Sequence, residues 1–166
     1  MHPVVGKAAA ACGWTGVAGH WLRRRHFSAA TLDRLAETIQ ASESRHSGEL
    51  VLVVESHLPR DVQDAGVRAL EVFGRQLVWD TAARTGVLLY VALGDHCIEL
   101  IADRGVTVEQ SVWDDICATL KQRFCAGDYR GGLDEAIVSI EHALTQCLQP
   151  DAHDAPNRLA DRPVLL

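Results

Sequence analysis

Residues 86–105 read GVLLYVALGDHCIELIADRG, and the seven from Val87 to Leu93 form an unbroken apolar run. Seven residues are enough for a strand and few for a helix. A run without alternation predicts a strand buried on both faces, as in a sheet covered by helices on each side. Gly94, Asp95 and His96 then supply turn formers, and Cys97 to Ala102 returns with mixed polarity. The pattern is that of a hairpin whose second strand is the less buried.

Around this ribbon the chain alternates helical and strand patterns. Residues 1–26 are a loosely patterned arm whose two tryptophans, Trp14 and Trp21, predict docking. From Phe27 to about Arg45, Leu32, Leu35, Ala36 and Ile39 recur at three- and four-residue steps. Leu50–Val54 is a second apolar run, hence a second buried strand. Asp64 to about Val78 returns to helical spacing, with Val67, Leu70, Phe73, Leu77 and Val78 on one side. Thr107 to Gln110 has the form of a capping box. Val112, Ile116, Leu120 and Phe124 mark a third helix, and Leu133, Ile137, Ile140, Leu144 and Leu148 a fourth. A helix between two apolar strands implies a parallel crossover. The fold class expected is α/β: a small mixed sheet, made of a parallel pair plus an antiparallel hairpin strand, with helices on both faces. The organisation is an arm (1–26), one domain (27–149) and an extended tail (150–166). The tail ends in Val164-Leu165-Leu166, and three aliphatics predict docking on an open sheet edge.

The formal charge of -6 argues against a general nucleic-acid binder. Five cysteines at 12, 97, 117, 125 and 147 make no Cys-x-x-Cys pair and read as free, mostly buried thiols of a reducing compartment. The apolar stretch from Ala8 to Gly19 is too short and too glycine-rich for a membrane span. No integral span is expected and the cytoplasm is the expected location. No Walker or dinucleotide pattern occurs.

Topology brings acids together. With parallel strands at 50 and 87, Glu49 and the Asp80–Thr85 loop share one end of the sheet. Asp103 returns there on the antiparallel strand, and the third helix starts there with Asp114 and Asp115. Oxygen-only ligands of this kind suit calcium or magnesium, or position water on a phosphate. The opposite end gathers Ser56, His57, Asp95 and His96. A triad is disfavoured there, because Asp95-His96 reads as a turn and no Gly-x-Ser-x-Gly elbow is present.

The block from Gly86 to His96, followed by Ile98 to Gly105, resembles the central block of the TPM domain family. Val78-Trp-Asp-Thr81, the Phe124 to Leu133 segment and the opening Ser47 to Val54 agree with it. The resemblance runs from about Phe27 to Leu148, and it is to the compact bacterial members without a membrane anchor. Their tail tends to read Asn-Glu-Leu-Pro-Asp-x-Pro; Asn157 to Pro163 is similar, with Arg158 and Ala160 as departures. The resemblance implies a three-layer α/β/α sandwich. It also implies the range of roles linked to the family: acid phosphatase activity, calcium binding, and accessory roles in photosystem repair or receptor function. Where the family usually carries Asp-Asn-Gly or Asn-Asn-Gly before the central strand, this chain has Arg84-Thr85-Gly86. A cation there repels a divalent ion.

The expectation is therefore a binding or accessory module with an unknown protein partner. It carries at most a weak calcium or magnesium site at Asp80, Asp103 and Asp114, and no certain cofactor. The alternative is a low-efficiency, metal-assisted phosphatase in which Asp80 and Asp103 are catalytic and Arg84 grips the substrate phosphate.

Overall fold

The computed structural model describes residues 4–7, 19–43, 46–148, 159 and 161–166. The central run is strand β3 (Gly86–Ala92) and its hairpin partner is β4 (Cys97–Ala102). The other apolar run is β2 (Glu49–Glu55), parallel to β3 with Glu49 opposite Gly86. The hairpin turns tightly, with His96 at φ 57°.

Two short strands that the sequence pattern does not announce complete the sheet. β1 (Val4–Lys7) pairs antiparallel with β4, and β5 (Val164–Leu165) pairs parallel with β2 at Val53 and Val54. The order is β1-β4-β3-β2-β5. The chain's own ends thus cover both edges of the β4-β3-β2 core, which removes two templates for pairing with other chains. The expected arm therefore contributes a strand to the sheet. It also contributes α1 (Gly19–His26), where Trp21 stays exposed under the Arg25 guanidinium, 4.9 Å from the ring. Trp14 lies outside the described residues.

The helix expected from Phe27 is α2 (Ala29–Glu43), separated from α1 by Phe27 and Ser28. Ser28 Oγ accepts from the Thr31 N–H at 3.3 Å and marks the start of α2. The remaining helices are α3 (Ala65–Arg75), α4 (Gln110–Cys125) and α5 (Tyr129–Cys147). The capping box at 107–110 does not form: Glu109 is the N-cap of α4 and makes no side-chain cap bond. Asp64 and Asp128 are working caps, accepting from N–H groups of Gly66 and Val67 and of Gly131 respectively.

Strand alternation splits the core in two. Leu50, Leu52, Val54, Leu89 and Val91 meet α2, α4 and α5 through Leu35, Ile39, Trp113, Leu120, Ile137 and Leu144. Val51, Val53, Leu88, Tyr90 and Ile101 lie under α3, against Ala69 and Val72. The three layers expected are present. The face expected for this segment is only partly the buried one: Phe73 and Val78 pack on the core, but Val67 is 61% exposed, Leu70 42% and Leu77, just beyond α3, 50%, whereas Ala65, Gly66, Arg68 and Ala69 are buried. Small residues let α3 lie close to the sheet, and Arg68 is turned inward by Glu55, so Val67 and Leu70 are left outside.

Cys97, Cys117 and Cys147 are not disulfide-bonded, and burial pushes the Cys117 thiol up to about 12. Cys125 is instead disulfide-bonded, which corrects the expectation of free cysteines at that position. Among the described residues, no helix is long and apolar enough to cross a membrane.

Candidate functional site

Parallel pairing of β2 and β3 places Glu49 and Gly86 side by side, and the antiparallel return of β4 brings Asp103 to the same end. The Asp103 N–H donates to the Gly86 carbonyl at 2.9 Å. The preceding loop is closed by its own bonds. Thr85 donates its N–H to Thr81 Oγ1 (2.8 Å) and its hydroxyl to the Ser47 carbonyl (2.5 Å). Arg84 sits at φ 57°, its N–H reaching the Thr81 carbonyl and its own carbonyl accepting from the Gly105 N–H at 2.8 Å. Gly105 is needed for that approach, since a Cβ there would stand 2.3 Å from the Ala83 carbonyl oxygen.

The four residues singled out from the sequence stand in different surroundings. Asp103 is half-buried; one carboxylate oxygen accepts from the Arg104 N–H (2.7 Å), and Oδ2 is buried without a hydrogen-bond partner among the described residues. Asp80 is exposed in the turn after α3, its N–H bonded to the Leu77 carbonyl. Asp114 is on α4 and accepts from Gln110 Nε2 along the helix at 3.0 Å. Arg84 is exposed. The Glu49 carboxylate accepts from the Leu159 N–H at 2.8 Å, so the tail reaches this end as well. Among the described residues, no group of three or more His, Cys, Asp or Glu side chains could hold a metal ion. Asp103 Oδ2 is a fitting oxygen donor, but one such donor is far from the six to eight that calcium takes. The described residues therefore do not make a full cation cage.

At the opposite end, His57 and Asp95 approach to 3.8 Å and the His20 ring lies edge-on to His57. A serine hydrolase arrangement is not built there. His57 Nε2, the nitrogen a serine would use, accepts from the Gly19 N–H at 3.0 Å, and Asp95 Oδ2 accepts from the Leu58 N–H at 2.6 Å.

Two buried polar groups are not foreseen from the sequence. One is Glu55 with Arg68 and Tyr90 beneath α3; the other is His46 with Glu141, where the nitrogen–oxygen distance is 2.7 Å. The first carries a signal, a carboxylate closing an apolar strand. The second carries none, because 95 residues separate its partners.

The fold has counterparts among known proteins. The TPM domain model matches residues 24–143. The chain belongs to the TPM domain family. The match begins within α1 and ends within α5, so it takes in the Asp80–Gly86 loop and Asp103 and leaves β1 and β5 outside. No curated protein matches the chain. Among solved structures, the TPM domain protein is similar to the BA42 protein of the psychrophilic bacterium Bizionia argentinensis, determined by NMR. The two share 24% identity over 84% of this chain and 94% of that one, with a TM-score of 0.73. That likeness shows the fold.

Proposed function

We propose that this TPM domain protein is a binding or accessory module rather than an enzyme, with at most a weak divalent-cation site at the Asp103 end of the sheet. The observation that carries this reading is that several oxygen donors at this end of the sheet are already engaged. The Thr81 hydroxyl, the Arg84 carbonyl and the Glu49 carboxylate each accept a backbone N–H, and the Thr85 hydroxyl is tied to Ser47. A loop serving an ion turns such groups toward it. The exposed apolar side chains Val67, Leu70, Leu77 and Trp79 are a reason to expect a protein partner. The charge of -6 disfavours nucleic acid.

Calorimetry with calcium and with magnesium at neutral pH tests the reading. Weak or absent heat is expected, and a tight, saturable isotherm would overturn it.

One observation favours the phosphatase alternative. Asp103 Oδ2 is buried and without a hydrogen-bond partner among the described residues, which suits a group kept for a ligand. In that version Asp103 and Asp80 hold a cation or orient water, and Arg84 meets the phosphate. Negligible turnover of p-nitrophenyl phosphate is expected, with or without magnesium. Turnover that survives purification and disappears in Asp103→Asn would put the enzyme first. The cytoplasmic placement expected from the sequence stays a proposal, and the disulfide at Cys125 is an observation against the reducing compartment read from the cysteines.

A further inference from the structure

Helix α1 reads Gly-His-Trp-Leu-Arg-Arg-Arg-His and holds three arginines and no acid. The formal charge of the chain is -6, so the residues outside α1 together carry -9. Leu22 and, just beyond the helix, Phe27 are buried and anchor it to the core. The Gly19 N–H donates to His57 Nε2 at 3.0 Å, and Arg23 Nη1 donates to the Leu166 carbonyl at 2.8 Å. Held in this way, the helix turns His20, Trp21, Arg24 and Arg25 outward, and all four are exposed. Their spacing, pairs of neighbours four residues apart, puts them on one side of the helix.

That side has no counter-charge. Among the described residues, no carboxylate pairs with Arg24 or Arg25. Asp95, beside His57 at the start of the helix, takes the Leu58 N–H, and Asp33 is paired with Arg162. The Arg25 guanidinium lies 4.9 Å over the ring of Trp21, which is 48% exposed, so cation and indole are presented together. The sequence leading into the helix, Ala8 to Ala18, has no charged residue and a second tryptophan, Trp14. Arginines alone suit any polyanion, and the phosphates of a duplex make no use of an exposed indole beside an uncharged stretch. The headgroup region of an anionic bilayer takes both, phosphate for the guanidinium and the apolar boundary for the indole. Repulsion from the acidic remainder of the chain is largely screened beyond about 8 Å at physiological salt, whereas the α1 arginines are at contact.

We propose that the outer face of α1 docks the domain on an anionic membrane surface, with Arg24 and Arg25 meeting lipid phosphates and Trp21 entering the headgroup boundary. The helix lies on the bilayer; its eight residues are too few to cross it. The inference goes beyond the binding-module reading and uses none of its residues. Tight calcium binding would overturn that reading and leave this one standing, and failure to bind vesicles would do the reverse.

The test sediments the full chain with vesicles of phosphatidylcholine containing about one third phosphatidylglycerol, and with vesicles of phosphatidylcholine alone. Binding to the anionic vesicles should be tighter by about tenfold or more, and raising the salt should release the protein. Arg24→Gln with Arg25→Gln should weaken it by about tenfold or more. Arg75→Gln with Arg104→Gln removes the same charge at exposed positions elsewhere and should leave binding within about twofold. Trp21→Ser should weaken it by about threefold or more, which a purely ionic contact would not show. Should the α1 double variant fold poorly, the salt dependence and the neutral vesicles still decide for the wild-type chain. Equal binding to the two kinds of vesicle, indifference to salt, wild-type binding by either folded α1 variant, or equal losses in the two double variants would overturn the proposal. So would tighter binding to a mixed-sequence DNA duplex than to the anionic vesicles.

Discussion

Arg68 of α3 holds Glu55 of β2 side-on: Nε donates to one carboxylate oxygen at 3.0 Å and NH2 to the other at 2.8 Å, with both side chains only 9% exposed. The Tyr90 hydroxyl from the neighbouring strand donates to the same carboxylate at 2.5 Å, and Glu71 takes a further guanidinium N–H. Two parallel bonds fix the planar guanidinium. This pairing explains why α3 turns a charged face inward.

Removing one partner leaves the other buried and uncompensated. Arg68→Leu is expected to cost about 3 kcal/mol or more, because breaking a buried pair exposes the desolvation penalty of the remaining charge. The double variant Arg68→Leu with Glu55→Gln should recover much of that loss, since the amide can still accept from Tyr90. Urea denaturation of the three proteins decides it. A double variant no more stable than the single one would show that packing of the Arg68 stem, not its charge, is what α3 depends on.

How far the sequence reveals the fold depends on the kind of interaction. Val87–Leu93 and Leu50–Val54 announce buried strands because seven and five apolar residues in succession leave few other options. The structure extends β2 to Glu49–Glu55 and sets β3 at Gly86–Ala92, while Cys97–Ala102 keeps its bounds. The α3 face is partly misread from periodicity, because Arg68 counts as polar in any hydrophobic pattern and its partner lies thirteen residues away on another element. At the candidate site, the convergence of Glu49, Gly86 and Asp103 is legible from strand direction. That Thr81 and Thr85 close the loop is not, since nothing in their spacing distinguishes a lock from an exposed turn. The two-residue strand β5 is too short to carry a pattern, although the aliphatic ending at Val164–Leu166 does signal docking. Leu165 is half-buried and Leu166 is 38% exposed, so edge pairing contributes alongside burial.

Two glycines should respond oppositely to alanine. Gly74 lies in α3, where an added Cβ would meet nothing within 4 Å, and Gly74→Ala should gain roughly 0.5–1 kcal/mol from the lower entropy of the unfolded chain. At Gly86 a Cβ would stand 1.9 Å from the Val78 carbonyl oxygen, and both strands beside it are fixed. Gly86→Ala should lose about 1–3 kcal/mol. Paired thermal melts read both effects, and a loss at Gly74 would mean that the outer face of α3 is covered in solution.

The tail should matter for stability and for self-association. The Leu166 N–H donates to the Val54 carbonyl at 3.0 Å, and Arg23 donates to the Leu166 carbonyl at 2.8 Å. The Arg162–Asp33 pair is more than half exposed and adds little. Deleting residues 161–166 should lower the melting temperature by several degrees, on the order of 1–3 kcal/mol. It also bares the β2 edge, so the truncated protein should self-associate. An unchanged melt together with an unchanged elution volume would show that β5 contributes nothing.

Stability should fall on mild acidification. Burial lowers His26 below the ordinary imidazole value of 6.5, with Arg25 adding to the effect. Burial lowers His96 too, opposed in part by Asp95. Both groups take up their protons more readily in the unfolded chain, so stability rises with pH across this window. Their contribution is complete above about pH 6.5 and is lost as pH falls toward their folded values. Glu71, lowered mainly by its bond to Arg68, acts only in the carboxylate range further down. Melting temperatures measured from about pH 7.5 to 5.5 should decline. His96→Asn should flatten the curve, because asparagine tolerates the positive φ and carries no titrating group.

Arg84→Asn separates the two readings of the acidic end. Position 84 is left-handed at φ 57°, where asparagine is better accommodated than arginine. The variant keeps the Arg84 backbone bonds to Thr81 and Gly105 and leaves the Thr85–Ser47 bond alone. Stability should therefore hold or rise slightly. If the arginine charge is what opposes a cation near Asp103, replacing it also supplies an amide oxygen, and calcium affinity should increase in calorimetry. Asp103→Asn in the same background should cancel the gain, because it removes the carboxylate charge that attracts the ion. Calcium binding that stays absent in Arg84→Asn would move the cause from the cation to the loop, whose own hydrogen bonds would then be the barrier. Binding that increases but survives Asp103→Asn would place the ion elsewhere on the domain.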